Sequence, residues 1–123
     1  MSKKKRKKKE EQLDEFRKLN DKEGKGHPRY IFKKRGKTYK AIGITHGEHT
    51  DGKKNIPLTA NPDPTDKKPA HVRTVIEIKS KDKYGNKLKG WKFNVEDKKL
   101  VDALIKALEA ADIENVKGKK KKP

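Results

Sequence analysis

The chain has 123 residues, of which 28% are hydrophobic and 44% charged, and its formal net charge is +18. A chain of this length holds one domain at most, because there is no room for a second core. It contains no cysteine, which excludes disulfides and thiolate metal sites and fits a cytoplasmic protein. No apolar run is long enough for a signal peptide or a membrane span.

Positive charge is concentrated at the two ends of the chain. Every residue from 3 to 9 is basic, and five further lysines lie within residues 117–123. Like charges at this density repel one another and bury nothing, so we predict disordered polybasic tails over residues 1–9 and 114–123. The first of these runs would also pass for a nuclear localisation signal if the source were eukaryotic.

So strong a positive charge indicates a polyanionic partner. Nucleic acid is favoured over an anionic membrane surface, because a membrane-binding helix would carry Trp or Phe beside its lysines. The simpler alternative is that the tails only keep the protein in solution.

The segment that follows the first tail predicts a short charged helix from Glu10 to about Lys22. Acids alternate there with bases around a thin apolar stripe formed by Leu13, Phe16 and Leu19. Residues 10–23 are therefore assigned to this helix and a linker, and residues 24–113 to the folded domain.

A β-hairpin is predicted at the start of the folded domain. Its strands run from Arg29 to Lys34 and from Lys37 to Thr45, and the Arg35-Gly36 pair between them supplies the positive φ of a tight turn. The small residues Ala41 and Gly43 allow another group to approach the second strand closely.

The rest of the domain is predicted to be further β-structure closed by one amphipathic helix. Strands are expected at Asn55–Thr59, where Pro57 favours a sheet edge, and at Val72–Lys79, with a long loop over 60–70 and a turn at Tyr84-Gly85-Asn86. Leu88 to Phe93 are expected to form either a last strand or an extended segment around Gly90 and Trp91. The helix runs from Val95 to about Ala111, with Asn94 as its N-cap. The fold class is therefore mainly β (α+β): a small barrel or a curled antiparallel sheet with a C-terminal helix.

Aromatic and cationic side chains are interleaved along the hairpin, as in proteins that stack bases on rings and hold phosphates with cations. The candidate nucleic-acid contacts there are Arg29, Tyr30, Lys33, Lys34, Arg35, Lys37, Tyr39 and Lys40. The N-terminal tail adds Lys3, Lys4, Lys5, Arg6 and Lys7. The alternative is that the aromatic residues belong to the core, and Trp91 is the one most readily assigned there.

The same hairpin carries residues suited to phosphodiester chemistry. Cleavage of RNA by its own 2′-hydroxyl needs a base, an acid and a donor or cation for the phosphorane oxygens. His27 offers an imidazole, a group that titrates near neutral pH, Thr45 offers a hydroxyl, and Arg29 or Lys40 offers positive charge. The alternative is a surface histidine and a threonine that merely ends a strand. His46 would point to the opposite face if the strand continued past Thr45.

A metal site is not predicted. His46-Gly47-Glu48-His49 with Asp51 contains ligand types that suit zinc, but a polar loop offers neither a rigid scaffold nor outer-shell partners. We therefore expect neither a metal nor another cofactor.

The order of elements resembles the PemK/MazF family of toxin endoribonucleases over about residues 24–110. The family's Gly-Gly-x-Arg-Pro opening is similar to Gly24-Lys25-Gly26-His27-Pro28, and its Val-x-x-Ile-Thr strand end to Ala41-Ile42-Gly43-Ile44-Thr45. Its closing strand, loop and Leu/Val helix are similar to Val75 to Leu108.

The resemblance implies an SH3-like barrel and metal-independent cleavage of single-stranded RNA to a cyclic phosphate and a free 5′-hydroxyl. The family's catalytic Arg and Thr fall by position on His27 and Thr45. Arg29 stands one residue after the proline instead and shares a strand face with residue 27, so it is kept in the catalytic set. The resemblance further implies a homodimer and an acidic antitoxin protein as partner.

We therefore expect a cytoplasmic protein that binds nucleic acid, RNA being favoured over DNA, with no membrane partner and with endoribonuclease activity carried by His27, Arg29 and Thr45. Two alternatives stay open from the residues alone. One is a non-catalytic nucleic-acid-binding module, and the other is an interaction protein of a mobile element or phage.

Overall fold

The structure, a computed structural model, describes residues 10–20 and 27–121, with the backbone alone for 112–121. The described residues form one six-stranded antiparallel sheet in the order β6-β7-β3-β2-β1-β8, a small hairpin of β4 and β5, one α-helix and a short 3-10 helix at Lys81–Lys83. The strands are β1 Glu10–Leu19, β2 Pro28–Arg35, β3 Thr38–Thr45, β4 His49–Thr50, β5 Lys53–Lys54, β6 Ile56–Pro57, β7 His71–Ser80 and β8 Tyr84–Lys87; the helix is α1 Val95–Lys121.

The main core lies between the sheet and α1. Phe16, Tyr30 and Phe93 pack there with ring centroids 4.8 to 5.2 Å apart, and Val101 and Ile105 of α1 close over aliphatic residues of the sheet. Leu and Val recur along α1 at helical spacing, so the helix presents one apolar stripe to this layer. This packing confirms a mainly β domain with a C-terminal helix.

A second, smaller apolar cluster covers part of the opposite face of the sheet. It consists of Ile31, Tyr39, Ala41 and Tyr84, with Leu13 and Leu19 packed against it. Successive residues of a strand point to opposite faces, so Tyr30 enters one cluster and Ile31 the other. The β2–β3 hairpin, which the sequence predicts correctly, is therefore buried on both faces along its middle.

The helix predicted from Glu10 to Lys22 is wrong, since Glu10–Leu19 form strand β1. Phe16 lies opposite Tyr30 of β2, and Arg17 lies opposite Lys87 of β8. The apparent helical stripe divides between two faces: Phe16 enters the main core, whereas Leu13 and Leu19 enter the smaller cluster. Two neighbouring strands supply ladder partners for the β1 backbone, and this tertiary context overrides local helix propensity.

The sheet is antiparallel, as the sequence predicts, but it is not closed into a barrel, so the expected SH3-like barrel is not formed. The edge strands are β6 and β8, which do not pair with each other. β6 is only two residues long and ends at Pro57, which has no N–H to extend a ladder.

The C-terminal half differs in part from the prediction. Tyr84 to Asn86 lie in strand β8 rather than in a turn, and the strand considered for Leu88 to Phe93 is not formed, because Gly90 turns the chain at φ +81°. α1 continues past Ala111 to Lys121, into the stretch for which a tail was expected, as the good helix propensity of Lys and Glu allows. Within the described residues, no helix combines the length and apolarity needed to cross a bilayer.

Truncating Phe16 tests whether β1 is part of the folded domain. Phe16 is 1% exposed, and replacing a buried Phe by Ala removes about 3–5 kcal/mol of stability. We expect Phe16→Ala to lower the free energy of unfolding in urea by that amount, and Phe16→Leu by less. Gln12→Ala on the exposed surface of the same strand is the control, with a change within about 0.5 kcal/mol. Equal effects at the two positions would contradict the docking of β1.

Candidate active site

A cleft of about 160 Å³ opens where β2 begins and β3 ends. The β2–β3 register pairs Arg29 with Gly43, and the same register carried outward brings His27 level with Thr45. The two residues predicted for catalysis at these positions therefore line one cleft. The polar side chains on its wall are Lys18, His27, Thr45, His46, Asn61, Asp63 and Asp66.

His46 is held by a carboxylate on the far wall of the cleft. Its Nε2 lies 2.8 Å from Oδ2 of Asp66, while more than half of the imidazole surface remains accessible. The backbone N–H of Lys68 donates to the other oxygen of Asp66 at 3.0 Å. This hydrogen bond, and after it the one to His46, lower the pKa of Asp66. The carboxylate is thus ionised and able to orient the ring.

The loop that carries Asp66 is ordered by its own polar side chains. Oδ1 of Asp63 accepts hydrogen bonds from the N–H and the hydroxyl of Thr65 at 2.9 and 2.8 Å. The amide of Asn61 accepts from the N–H of Asp63 and donates to the carbonyl of Lys68. Such local bonds fix a turn without regular secondary structure.

The same loop is anchored to the start of α1 by a buried carboxylate. Asp97 is 1% exposed, and its two oxygens accept from the N–H groups of Thr59 and Ala60 and from the Thr59 hydroxyl at 3.0 to 3.2 Å. Asn94 caps the helix by accepting from the Asp97 N–H at 2.7 Å. The helix terminus and the cleft wall are therefore joined.

Arg29 does not line the cleft, contrary to its predicted catalytic role. It is 8% exposed, and its Nε donates to Glu77 at 2.8 Å. Glu77 also accepts from the hydroxyl of Tyr84 at 2.9 Å, and burial, followed by this hydrogen bond, raises the pKa of Tyr84. Nη1 of Arg29 donates to the carbonyl of His27 at 3.0 Å, so Arg29 fixes the backbone at the cleft without facing it.

Lys18 lines the cleft and supplies the positive charge there that the sequence assigned to Arg29 or Lys40. Sequence reasoning missed this residue because it lay within a predicted helix, and it missed Asp66 because nothing local distinguishes an acid in a long loop. His46 was assigned to the opposite face on the condition that the strand continued. β3 ends at Thr45, and the chain bends there into the cleft.

Most of the aromatic and cationic side chains predicted as nucleic-acid contacts on the hairpin are buried or lie next to acids. Tyr30 and Tyr39 are buried, so neither ring is available to stack on a base. Lys33 pairs with Glu109 at 3.0 Å and Lys40 with Glu10 at 2.8 Å, and Lys34 lies 3.6 Å from Glu11. Arg35 and Lys37 are exposed. Lys3, Lys4, Lys5, Arg6 and Lys7 lie outside the described residues.

The closely spaced small residues of β3 accommodate a side chain of the protein itself. A Cβ at Gly43 would lie 2.9 Å from Cδ of Arg73, which packs over this glycine from β7. The predicted close approach at residues 41–43 is therefore made by an arginine.

A larger groove of about 680 Å³ lies between α1 and β7. Its apolar wall includes Val75, Ile78 and Leu108, and two of its lysines are ion-paired, Lys33 with Glu109 and Lys40 with Glu10. It contains no histidine, so it lacks the acid–base groups of the cleft. Among the described side chains, no group of three or more His, Asp or Glu is arranged to hold a metal ion.

A scan against protein-family models and searches of curated proteins and of solved structures found no match to this chain. The resemblance to the PemK/MazF family therefore stays a prediction, and the function has to be argued from the cleft itself.

The lowered pKa of Asp66 gives a direct test of the cleft. We expect its carboxyl to titrate below the ordinary aspartate range when followed by carbon-detected NMR. In His46→Ala the pKa should rise towards that range but stay lowered, because the Lys68 N–H remains in place. His49→Ala is the matched control and should change nothing. An unchanged Asp66 titration in His46→Ala would contradict the pair.

Removing the Asp97 charge tests the anchor of the cleft wall. Asp97→Asn weakens hydrogen bonds to a charged acceptor, each worth about 1.5–3 kcal/mol, and we expect the free energy of unfolding to fall by about 2 kcal/mol. Asp102→Asn makes the same change in an exposed pair with Lys98 and should cost less than about 1 kcal/mol. Comparable losses in the two variants would show that Asp97 is not an anchor.

Proposed function

We propose that this protein binds single-stranded RNA and cleaves it, without a metal, in the cleft where β2 begins and β3 ends. The observation that carries the proposal is the convergence of two histidines, a threonine hydroxyl and a lysine on one cleft, with one histidine held by Asp66. A paired imidazole and carboxylate beside a second imidazole supply both a base and an acid at neutral pH.

The roles follow from the position of each group. His46 accepts the proton of the 2′-hydroxyl, and Asp66 stabilises the imidazolium that results. The 2′-oxygen then bonds to phosphorus while the bond from phosphorus to the 5′-oxygen breaks, and protonated His27 gives its proton to that leaving oxygen. The products are a 2′,3′-cyclic phosphate and a free 5′-hydroxyl, so atoms and protons balance.

Lys18 and Thr45 act on the charge that develops on the phosphorane oxygens. The Thr45 hydroxyl oxygen accepts from the N–H of Gly47 at 3.3 Å, which leaves its own hydrogen free to donate to a non-bridging oxygen. The Lys18 ammonium adds positive charge on the same wall. Arg29 contributes as a positioning residue, because it holds the carbonyl of His27.

Trp91 offers a surface for a base next to the phosphate. Its ring is half-buried, with its centroid 5.7 Å from that of Phe16 and a 47° angle between the two ring planes, so Phe16 holds the Trp91 ring in position. It also lines the cleft, and rings of this kind stack on bases of any sequence. Stacking by Trp91 therefore replaces the role predicted for Tyr30 and Tyr39.

The second candidate is a nucleic-acid-binding module without catalysis. The size of the cleft favours it, because about 160 Å³ is less than the roughly 300 Å³ at which ligand pockets usually begin. Such a cleft admits a phosphate group but does not enclose a nucleotide. The homodimer and the acidic antitoxin protein are further proposals that rest on the family resemblance alone.

Incubation with a long single-stranded RNA in the presence of a chelator separates the two candidates. We expect wild type to cleave and His27→Ala and His46→Ala each to be about 10²–10⁴-fold slower, the usual range for loss of an acid or base. His49→Ala, an exposed histidine outside the cleft, should match wild type. Equal cleavage by all four proteins would indicate a contaminating ribonuclease and contradict the proposal, and tight binding without cleavage would favour the second candidate.

A further inference from the structure

Three cations are gathered around one buried aromatic ring at the turn end of the β2–β3 hairpin. The guanidinium carbon of Arg17 lies 5.4 Å, and the ammonium of Lys81 5.8 Å, from the ring centroid of Tyr39. Lys34 lies directly opposite Tyr39 in the β2–β3 register. We call Arg17, Lys34, Lys81 and Tyr39 the Tyr39 patch.

The fold builds this patch from separate parts of the chain. Arg17 comes from β1, Lys34 from β2 and Lys81 from the turn after β7, where its N–H donates to the carbonyl of Lys37 at 2.9 Å. The electron-rich face of Tyr39 attracts both of the cations near it. The ring that the sequence assigned to base stacking thus holds cations instead.

Positive charge in the patch exceeds the negative charge available to it. Glu15 pairs with Arg17 at 2.6 Å, and the well-exposed Glu11 lies 3.6 Å from Lys34. Lys81 forms no ion pair with any described carboxylate. Desolvation, and then the charge of Lys34, lower the pKa of Lys81. An anion bound among the three cations would relieve their repulsion.

The surroundings of the patch favour a phosphate backbone over an acidic protein. The well-exposed large apolar side chains of the described chain are Val75, Ile78, Val95 and Leu100, and none of them belongs to the patch. Protein interfaces carry an apolar centre with charge at the rim, whereas backbone recognition of nucleic acid needs clustered Lys and Arg.

The patch and the cleft lie at opposite ends of the same hairpin. Pro28 lines the cleft and Lys34 lies in the patch, and six residues of strand span about 20 Å along the hairpin. Tyr39 belongs to the smaller cluster, whereas Ile44, Ala70 and Trp91 of the cleft belong to the main core on the other face of the sheet, so an RNA that reaches both has to pass from one face to the other. We infer that the Tyr39 patch binds backbone phosphates of the same single-stranded RNA that enters the cleft, about 20 Å along the hairpin from the scissile bond. The inference rests on the proposed function for its choice of RNA, and on the patch itself for the phosphate contact.

Binding is measured first with an oligouridylate about 20 nucleotides long, carrying 2′-O-methyl sugars. This probe presents phosphates but cannot be cleaved through a 2′-hydroxyl, so the result does not depend on catalysis. The Lys34→Gln/Lys81→Gln double variant removes two phosphate contacts. We expect it to flatten the slope of log K against log salt by about 1.4, since each contact contributes about 0.7 on a single strand.

The matched control is Lys99→Gln/Lys106→Gln, which removes the same charge from exposed positions on α1. It should change the slope by much less. An equal change in the two double variants, or no change in the first, would overturn the inference, because the net charge alone would then govern binding.

Cleavage of a uridine dinucleotide and of long RNA gives a second measurement. A dinucleotide in the cleft is too short to reach the patch. The patch variant should therefore lower kcat/KM for the long RNA and leave that for the dinucleotide unchanged, whereas equal losses on both would overturn the inference. If wild type cleaves neither substrate, the proposed function fails while the binding measurement still decides the patch.

Discussion

The buried carboxylate of Asp97 is the interaction on which the arrangement of the cleft depends. A charge this far from solvent is stable only when hydrogen bonds replace its water, and Thr59 and Ala60 supply them. The bonds join the start of α1 to the loop that leads to Asp66. The helix that closes the main core therefore also positions the loop that carries Asp66 on the wall of the cleft. The geometry of the candidate site depends in this way on the packing of α1.

The two-sided burial of the hairpin explains which charged residues remain free to act. Arg29 is covered on β2, and a buried guanidinium requires a partner, which Glu77 of β7 provides. Lys33 is paired with Glu109 of α1, and Lys40 with Glu10 at the start of β1. Cations at the ends of the hairpin escape this cover. Lys18 reaches the cleft at one end, and the Tyr39 patch forms at the other.

The roles proposed for the aromatic residues thus depend on how deeply each ring is buried. The rings of Tyr30 and Tyr39 are both buried. Tyr30 packs in the main core, and Tyr39 contacts Arg17 and Lys81 through its ring face. Trp91 is half-buried, because its ring packs against Phe16 and also lines the cleft. The division assigns stacking to one ring and phosphate contacts to lysines and an arginine at the strand ends.

The sequence by itself determined the hairpin, the strand beginning near Val72 and the start of the C-terminal helix, because side-chain alternation, the turn at Gly36 and the N-cap Asn94 are local signals. Only the tertiary structure decided that Glu10–Leu19 form a strand, that the sheet stays open, that Arg29 pairs with Glu77, and that His46 meets Asp66. Each of these depends on a partner distant in sequence. Such a partner, whether a neighbouring strand, a buried counter-charge or a carboxylate from another loop, leaves no periodic pattern in the local sequence of the residue that it contacts.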